Sequence, residues 1–167
     1  MAILADRLIL KPLQMSDAAE MHLVLDDLIL HSFTGGKPLT LIELQERYAK
    51  LETGCEGASE TWVNLIVRLR SSEVAIGFVQ ATIHNEDICY ADIAWVVGVP
   101  WQGQGYASEA AGALVAWLKC QGIDEFRANI HPTHNASIGI AQRLGMHPTA
   151  IQIDGETQWK LSATFLR

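Results

Sequence analysis

The chain has 167 residues, 49% of them hydrophobic and 19% charged, with a formal net charge of −7. That length and balance describe one folded domain over residues 1–167 with ample material for a core. The acidic excess argues against nucleic acid or a membrane surface as partner, since both are polyanionic.

The opening MAILADRLILKPL is apolar but carries Asp6, Arg7 and Lys11. With no signal-peptide core or cleavage site, it reads as a first strand over residues 3–12, ending at Pro12. No apolar run approaches the roughly 20 residues of a membrane span. Ser16 and Asp17 offer a helix N-cap, after which Met21, Val24, Leu25 and Leu28 recur at helical spacing. HSFTGGKP, residues 31–38, is a Gly/Pro-rich loop, and Thr40 can cap a second helix with a Leu41, Leu44, Tyr48, Leu51 stripe running to Gly54. The runs 61–69, 73–83 and 88–99 are β-branched, aromatic and alternating, and predict a three-stranded meander in which Glu86 and Asp87 are turn residues. A long helix then runs to Gly122 with Ala107, Ala110, Ala111, Leu114, Val115 and Leu118 on one face. Residues 125–131 form a short strand, and 135–145 a helix closed by Gly145. Two last strands near 147–153 and 156–163 turn at Asp154-Gly155. The order β-α-α-β-β-β-α-β-α-β-β predicts an α+β fold with a central mixed, mostly antiparallel sheet flanked by helices. Cys55, Cys89 and Cys120 are odd in number and widely spaced, so free thiols in a reducing cytoplasm are the simplest account.

The most informative stretch is PWQGQGYASEAA, residues 100–111, a glycine-rich turn opening into the long helix. Such a turn holds anions, because the first N–H groups of a helix lack internal partners and the macrodipole places positive charge there. A P-loop requires a lysine after the glycines, and none follows. A dinucleotide fingerprint fits Gly103 and Gly105, but Ser108 stands at its third glycine and three antiparallel-looking strands precede it. The pattern Q/R-x-x-G-x-G/A is satisfied by Gln102, Gly105 and Ala107. Taken alone, the same residues also suit a tight strand-to-helix connection.

On that pattern, and on NASIGIAQRLGM at 135–146 with its N-x-S opening and Leu-Gly-apolar end, the sequence resembles the GNAT superfamily of N-acetyltransferases. Within it, the likeness is to the branch that includes the ribosomal-protein N-terminal acetyltransferases. The resemblance covers nearly the whole chain and is weakest over residues 13–60. It implies acetyl-CoA as acetyl donor, with Gln102, Gly103, Gln104, Gly105, Tyr106 and Ala107 wrapping the pyrophosphate through backbone N–H groups. By the same resemblance, the Trp95, Val96, Val97 strand pairs with the pantetheine amides and splays from its neighbour to leave a cofactor slot, and Asn135 hydrogen-bonds the pantetheine arm. The turn departs from many relatives in carrying no Arg or Lys at Gln102, Gly103 or Gln104, and Met146 replaces the usual Phe.

Acetyl transfer to an amine requires a neutral amine, a polarised carbonyl and a protonated leaving thiolate. The family likeness implies a backbone N–H on the Trp95–Val97 strand for the carbonyl. It puts Ser137 near the sulfur as proton donor, with a first-turn helix serine as the competing reading. Asp92 matches the acidic position of a common family strand pattern and would act as base through a water; otherwise it is an exposed strand carboxylate. The 31–36 loop falls where the family builds its acceptor pocket, making His31, Phe33 and Thr34 substrate candidates, together with His134. A metal pair at His131 and His134 is disfavoured by Pro132 between them and by the lack of further ligands nearby in sequence. Trp62, Trp101 and Trp159 read as packing residues. The expected function is transfer of acetyl to a primary amine of a small molecule or a protein N-terminus, with no metal and with a homodimer left open. The alternatives are an acyl-CoA-binding sensor or scaffold without transferase activity, and a nucleotide-binding protein.

Overall fold

A computed structural model describes residues 1–33, 35–54, 59–85 and 89–162. The alternating runs of the middle of the chain form β3 (Glu60–Leu69), β4 (Ala75–His84) and β5 (Tyr90–Val97), antiparallel neighbours joined as a meander. Residues 3–12 were expected as one strand, but they form two. β1 (Ile3–Leu4) folds back on β2 (Leu8–Pro12), pairing Ile3 with Leu10. The break at Ala5–Arg7 is held from the side: Arg70 donates from Nη1 to the Ala5 and Asp6 carbonyls and from its amide to Arg7 O.

α1 (Ala18–Leu25) buries Met21 and Val24, but it stops before Leu28, which is 69% exposed. The Asp27 carboxylate accepts from Ile29 N and starts a separate 3-10 turn over Leu28–His31. Asp17 stands at the N-cap position of α1 without capping it. Its carboxylate accepts instead from Gln14 N and from Arg68 Nη2, both at 2.8 Å. Arg68 also donates to Glu20, whose other oxygen accepts from Ala75 N, so α1 is tied to β3 by that guanidinium and to β4 by the Glu20 carboxylate. Burial opposes the charge on Glu20, yet these donors outweigh it and hold its carboxyl below the usual range. α2 (Leu41–Thr53) is capped as its sequence predicts, with Thr40 and Glu43 exchanging hydrogen bonds across the first turn.

The second half supplies α3 (Tyr106–Cys120), β6 (Glu125–Ile130), α4 (Asn135–Arg143), β7 (His147–Ile153) and β8 (Glu156–Ser162). Asp154 and Gly155, both at positive φ, make the tight β7–β8 hairpin. The eight strands run in the order β1-β2-β3-β4-β5-β6-β8-β7. β5 and β6 are parallel, with α3 as the crossover such a pair requires, and the other neighbours are antiparallel. Leu114 and Leu118 of α3 share one buried core with Val79, Ile93 and Phe126 of the sheet. α1 and α2 form a second core with Leu13, Ile66 and Ala75.

The sheet is discontinuous at one seam. β5 pairs with β6 only at Tyr90–Glu125, Ala91–Phe126 and Asp92–Arg127, after which the two strands part. β5 meanwhile stays paired to β4 as far as Val97, and β6 to β8 as far as Ile130. The splay expected of the Trp95–Val97 strand is therefore present.

β5 is set closely against β4, because a Cβ on Gly77 would come within 2.1 Å of Val96 O. Gly77→Ala is expected to force the strands apart and cost about 3 kcal/mol. Gly112 in α3 has only an ordinary contact at 3.9 Å, to Leu144 Cδ2, so Gly112→Ala should instead gain up to about 1 kcal/mol of helix propensity. Denaturant unfolding of both variants checks the opposite signs.

Candidate functional site

The free edge of β5 is the first wall of the site. Gly98 N donates to Ile76 O across β4 at 2.8 Å. Backbone groups alternate sides along a strand, so those of Trp95 and Val97 face the gap that β6 leaves. The Val97 carbonyl there accepts from Gln102 Nε2 at 2.9 Å, which fastens the glycine turn to the strand end. Gln102 thus turns its side chain inward, and Gln104 similarly donates to Pro100 O at 3.3 Å.

The turn itself needs its glycines. Gly103 and Gly105 adopt φ of 74° and 83°, the left-handed region that favours glycine. Gly105 is the N-cap of α3, and no side chain caps the helix there. Glu109 N is the first amide to close on Gly105 O, so the amides of Tyr106, Ala107 and Ser108 lack helical acceptors. A Cβ on Gly103 would meet nothing within 4 Å, and one on Gly105 only Arg7 Nη2 at 3.5 Å. The turn is an open row of donors at the end of the seam.

One residue beside it was missed by the sequence reading. Arg7, in the β1–β2 turn, donates from Nη1 to Gln104 O at 3.0 Å and from Nε to Glu109 at 2.7 Å. Its guanidinium lies 4.3 Å from the centroid of the Tyr106 ring. The glycine turn has no cation of its own, but the fold brings one from 97 positions away. The only sequence signal was an arginine in a polar break within an otherwise apolar opening strand.

A cavity of about 520 Å³ lies under the seam, lined among others by Trp95, Val96, His31, Phe33, His134 and Ser137. Three of the four substrate candidates, His31, Phe33 and His134, converge on this cavity. Phe33 stacks on His134, with ring centroids 4.0 Å apart and planes 9° from parallel. His31 Nε2 lies 3.4 Å from Leu25 O. Burial, with a smaller contribution from His131, lowers the His134 pKa and keeps its imidazole neutral to lower pH. Ser137 is in the first turn of α4, half-buried, while Asn135 opens that helix in an exposed position. Thr34 lies outside the described residues, as do Glu86, Asp87 and Cys55.

Asp92 belongs to a second, adjoining cavity of about 600 Å³, with Trp62, Asn64, Gln80, Thr82 and Glu156 on its walls. The two cavities share Leu51, Gln80, Ile93, Ala94, Ala128, Asn129 and Glu156. Asp92 and Ser137 thus flank a common wall rather than face one another across one space. Asp92 Oδ2 is 2.9 Å from His84 Nε2, and His84 Nδ1 is 3.4 Å from Glu60 Oε1. His84 also stacks on Tyr90 at 4.5 Å. Neither His84 nor Glu60 was anticipated, although their strand register puts them opposite one another. Trp159 is buried and Trp101 packs against both cores, but Trp62 is 38% exposed and lines the second cavity, contrary to the packing role expected of it. Among the described residues no three His, Cys, Asp or Glu side chains are grouped to hold a metal, and no helix is long and apolar enough to cross a membrane.

Comparison with known proteins follows the same lines. No curated protein sequence matches the chain. Among solved structures, a GNAT-family acetyltransferase from Bacillus anthracis is 21% identical, with a TM-score of 0.77 over 97% of this chain and 98% of that one. RimL, a ribosomal L7/L12 alpha-N-protein acetyltransferase in complex with coenzyme A, is 16% identical with a TM-score of 0.79, covering 97% and 98%. The aminoglycoside acetyltransferase AAC(6')-Ib in complex with coenzyme A is 18% identical with a TM-score of 0.75, covering 93% and 95%. At these identities the likeness is one of fold. The family model of the acetyltransferase (GNAT) domain matches residues 7–147, spanning both the seam and the glycine turn, and the chain belongs to that family.

Proposed function

We propose that this protein transfers the acetyl group of acetyl-CoA to a primary amine, of a small molecule or a protein N-terminus, by direct attack within a ternary complex. The observation that carries the reading is the seam between β5 and β6, which leads to the uncapped amides of α3. The residues fit such a ligand. Positive φ at Gly103 and Gly105 leaves the turn free of side chains where phosphate oxygens would approach. The backbone edge at Trp95 and Val97 suits the amides of a pantetheine arm, and Asn135 would supply a further hydrogen bond to it. The two coenzyme A complexes among the structural neighbours add weight to the choice of ligand.

Acetyl-CoA supplies the acetyl group as a thioester. The chain's own residues hold the reactants and manage two protons. Asp92 Oδ would take the proton released when the amine nitrogen bonds to the acetyl carbon, through a water. The hydrogen bond from His84 fixes that carboxylate's orientation. Ser137 Oγ would give a proton to the departing sulfur as the carbon–sulfur bond breaks, regaining one from solvent in the same step. A backbone N–H of β5 would face the carbonyl oxygen. His31, Phe33, Thr34 and His134 would receive the acceptor, the neutral His134 ring stacking without adding charge.

Gly105→Glu should abolish CoA binding measured by calorimetry, because it fills the cradle and adds a negative charge; its positive φ should also cost about 1–2 kcal/mol, so thermal unfolding shifts down but stays cooperative. Unchanged affinity would remove the turn from the site. Asp92→Asn and Ser137→Ala separate the proton roles once an accepting amine is found. Each should lower kcat by about 10²-fold or more with little effect on acetyl-CoA binding. The Asp92→Asn defect should be worst at low pH and ease as free amine accumulates; the Ser137→Ala defect should persist at high pH. A pH–rate profile reads both, and two near-wild-type profiles would leave positioning as the whole of catalysis. CoA binding with no amine-dependent thiol release across an amine panel would instead favour a sensor.

A further inference from the structure

The glycine turn carries no positive side chain, yet a guanidinium lies directly against it, held on three sides. Glu109 accepts from the Arg7 backbone N and from Nε, both at 2.7 Å. Gln104 O accepts from Nη1, and the Tyr106 ring lies under the plane. Those contacts leave Nη2 without an acceptor among the described residues, 3.5 Å from where a Gly105 Cβ would stand. The Arg7 side chain is still 49% exposed, so the fork is fixed in direction but open to solvent at the mouth of the cradle. An arginine whose plane is already fixed loses little rotamer freedom on meeting an anion.

We infer that Arg7 is the basic member of the phosphate cradle, reaching the pyrophosphate of the cofactor from the β1–β2 turn, and that Glu109 aims it. This rests on the acetyl-CoA reading above. The electrostatics give the pair a reason. Glu109 lies in the first turn of α3, where a carboxylate suits the helix dipole but would repel an incoming phosphate. Arg7 neutralises that carboxylate and leaves a donor pair over for the ligand. Other cations are placed elsewhere: Lys119 is at the far end of α3, about 20 Å along the helix, and Arg127 is engaged by Glu125.

The test is calorimetric titration of wild type, Arg7→Gln, Arg7→Lys and Glu109→Gln with CoA and with dephospho-CoA, at low and high salt. Arg7→Gln is expected to weaken both ligands by about tenfold or more and to flatten the salt dependence. Arg7→Lys, with the charge but not the fork, should lose less. Glu109→Gln removes the competing anion but keeps only one of the two acceptors that aim Arg7, so it should bind more weakly than wild type yet lose clearly less than Arg7→Gln. Equal losses in Arg7→Gln and Glu109→Gln would reduce the pair to a structural brace and overturn the inference. So would unchanged affinity in Arg7→Gln, or a loss confined to CoA, which would move Arg7 to the 3′-phosphate. If Arg7→Gln does not fold, Arg7→Lys decides, and full wild-type affinity with unaltered salt dependence overturns the inference. Wild type that binds neither ligand overturns the acetyl-CoA reading as well, whereas wild type that binds beside an equally competent Arg7→Gln overturns this inference alone.

Discussion

Three residue pairs hold β5 to β6, and beyond them a strand that is otherwise well embedded has one bare edge. Unpaired backbone donors and acceptors inside a protein are costly, so a fold keeps such an edge only where its other side is secure or where something else will pair with it. Here the security comes from β4, which follows β5 for its whole length at a spacing that only Gly77 permits. On the far side, β6 leans on β8 and the β7–β8 hairpin. The seam is therefore a gap between two complete half-sheets rather than a fraying end, and the turn, the cavities and the aromatic cluster are all arranged around it.

Charge follows the same local logic. A protein with a net charge of −7 gains nothing from its overall field when it binds a polyanion. Oriented amides at a helix N-terminus act over a few ångströms and are indifferent to distant carboxylates, most of which are screened by salt. Three acidic groups near the turn and seam are individually tied. Glu109 is bonded to Arg7 and Asp92 to His84. Glu125 is bonded to Arg127 and Lys160, whose donors overcome its burial and hold its pKa below the usual range.

Sequence reading recovers whatever is written locally. The Thr40 cap, the alanine-rich face of α3, the Asp154-Gly155 hairpin and the glycine turn are each written locally, and each forms as its pattern requires. What the pattern hides is partnership across the chain. Asp17 looks like a cap until Arg68, 51 positions on, claims its carboxylate. Leu28 continues a helical stripe, but Asp27 ends the helix by accepting from Ile29 N. His84 becomes the partner of Asp92 only through the β4–β5 register. Strand parity could have found it, since Thr82 faces Asp92 and His84 lies two residues further on the same face. Arg7 has no such parity argument, because its place depends on how β1 folds back beside α3.

The Phe33–His134 stack joins the two halves of the molecule. Phe33 follows the 3-10 turn that leads from α1, which is anchored to β3 and β4, whereas His134 precedes α4 on the β6 side. The two rings thus act as a clasp across a wedge whose hinge is the set of three pairs from Tyr90 to Asp92. A ligand that widened the gap would load this stack, because its two rings belong to opposite sides of the seam.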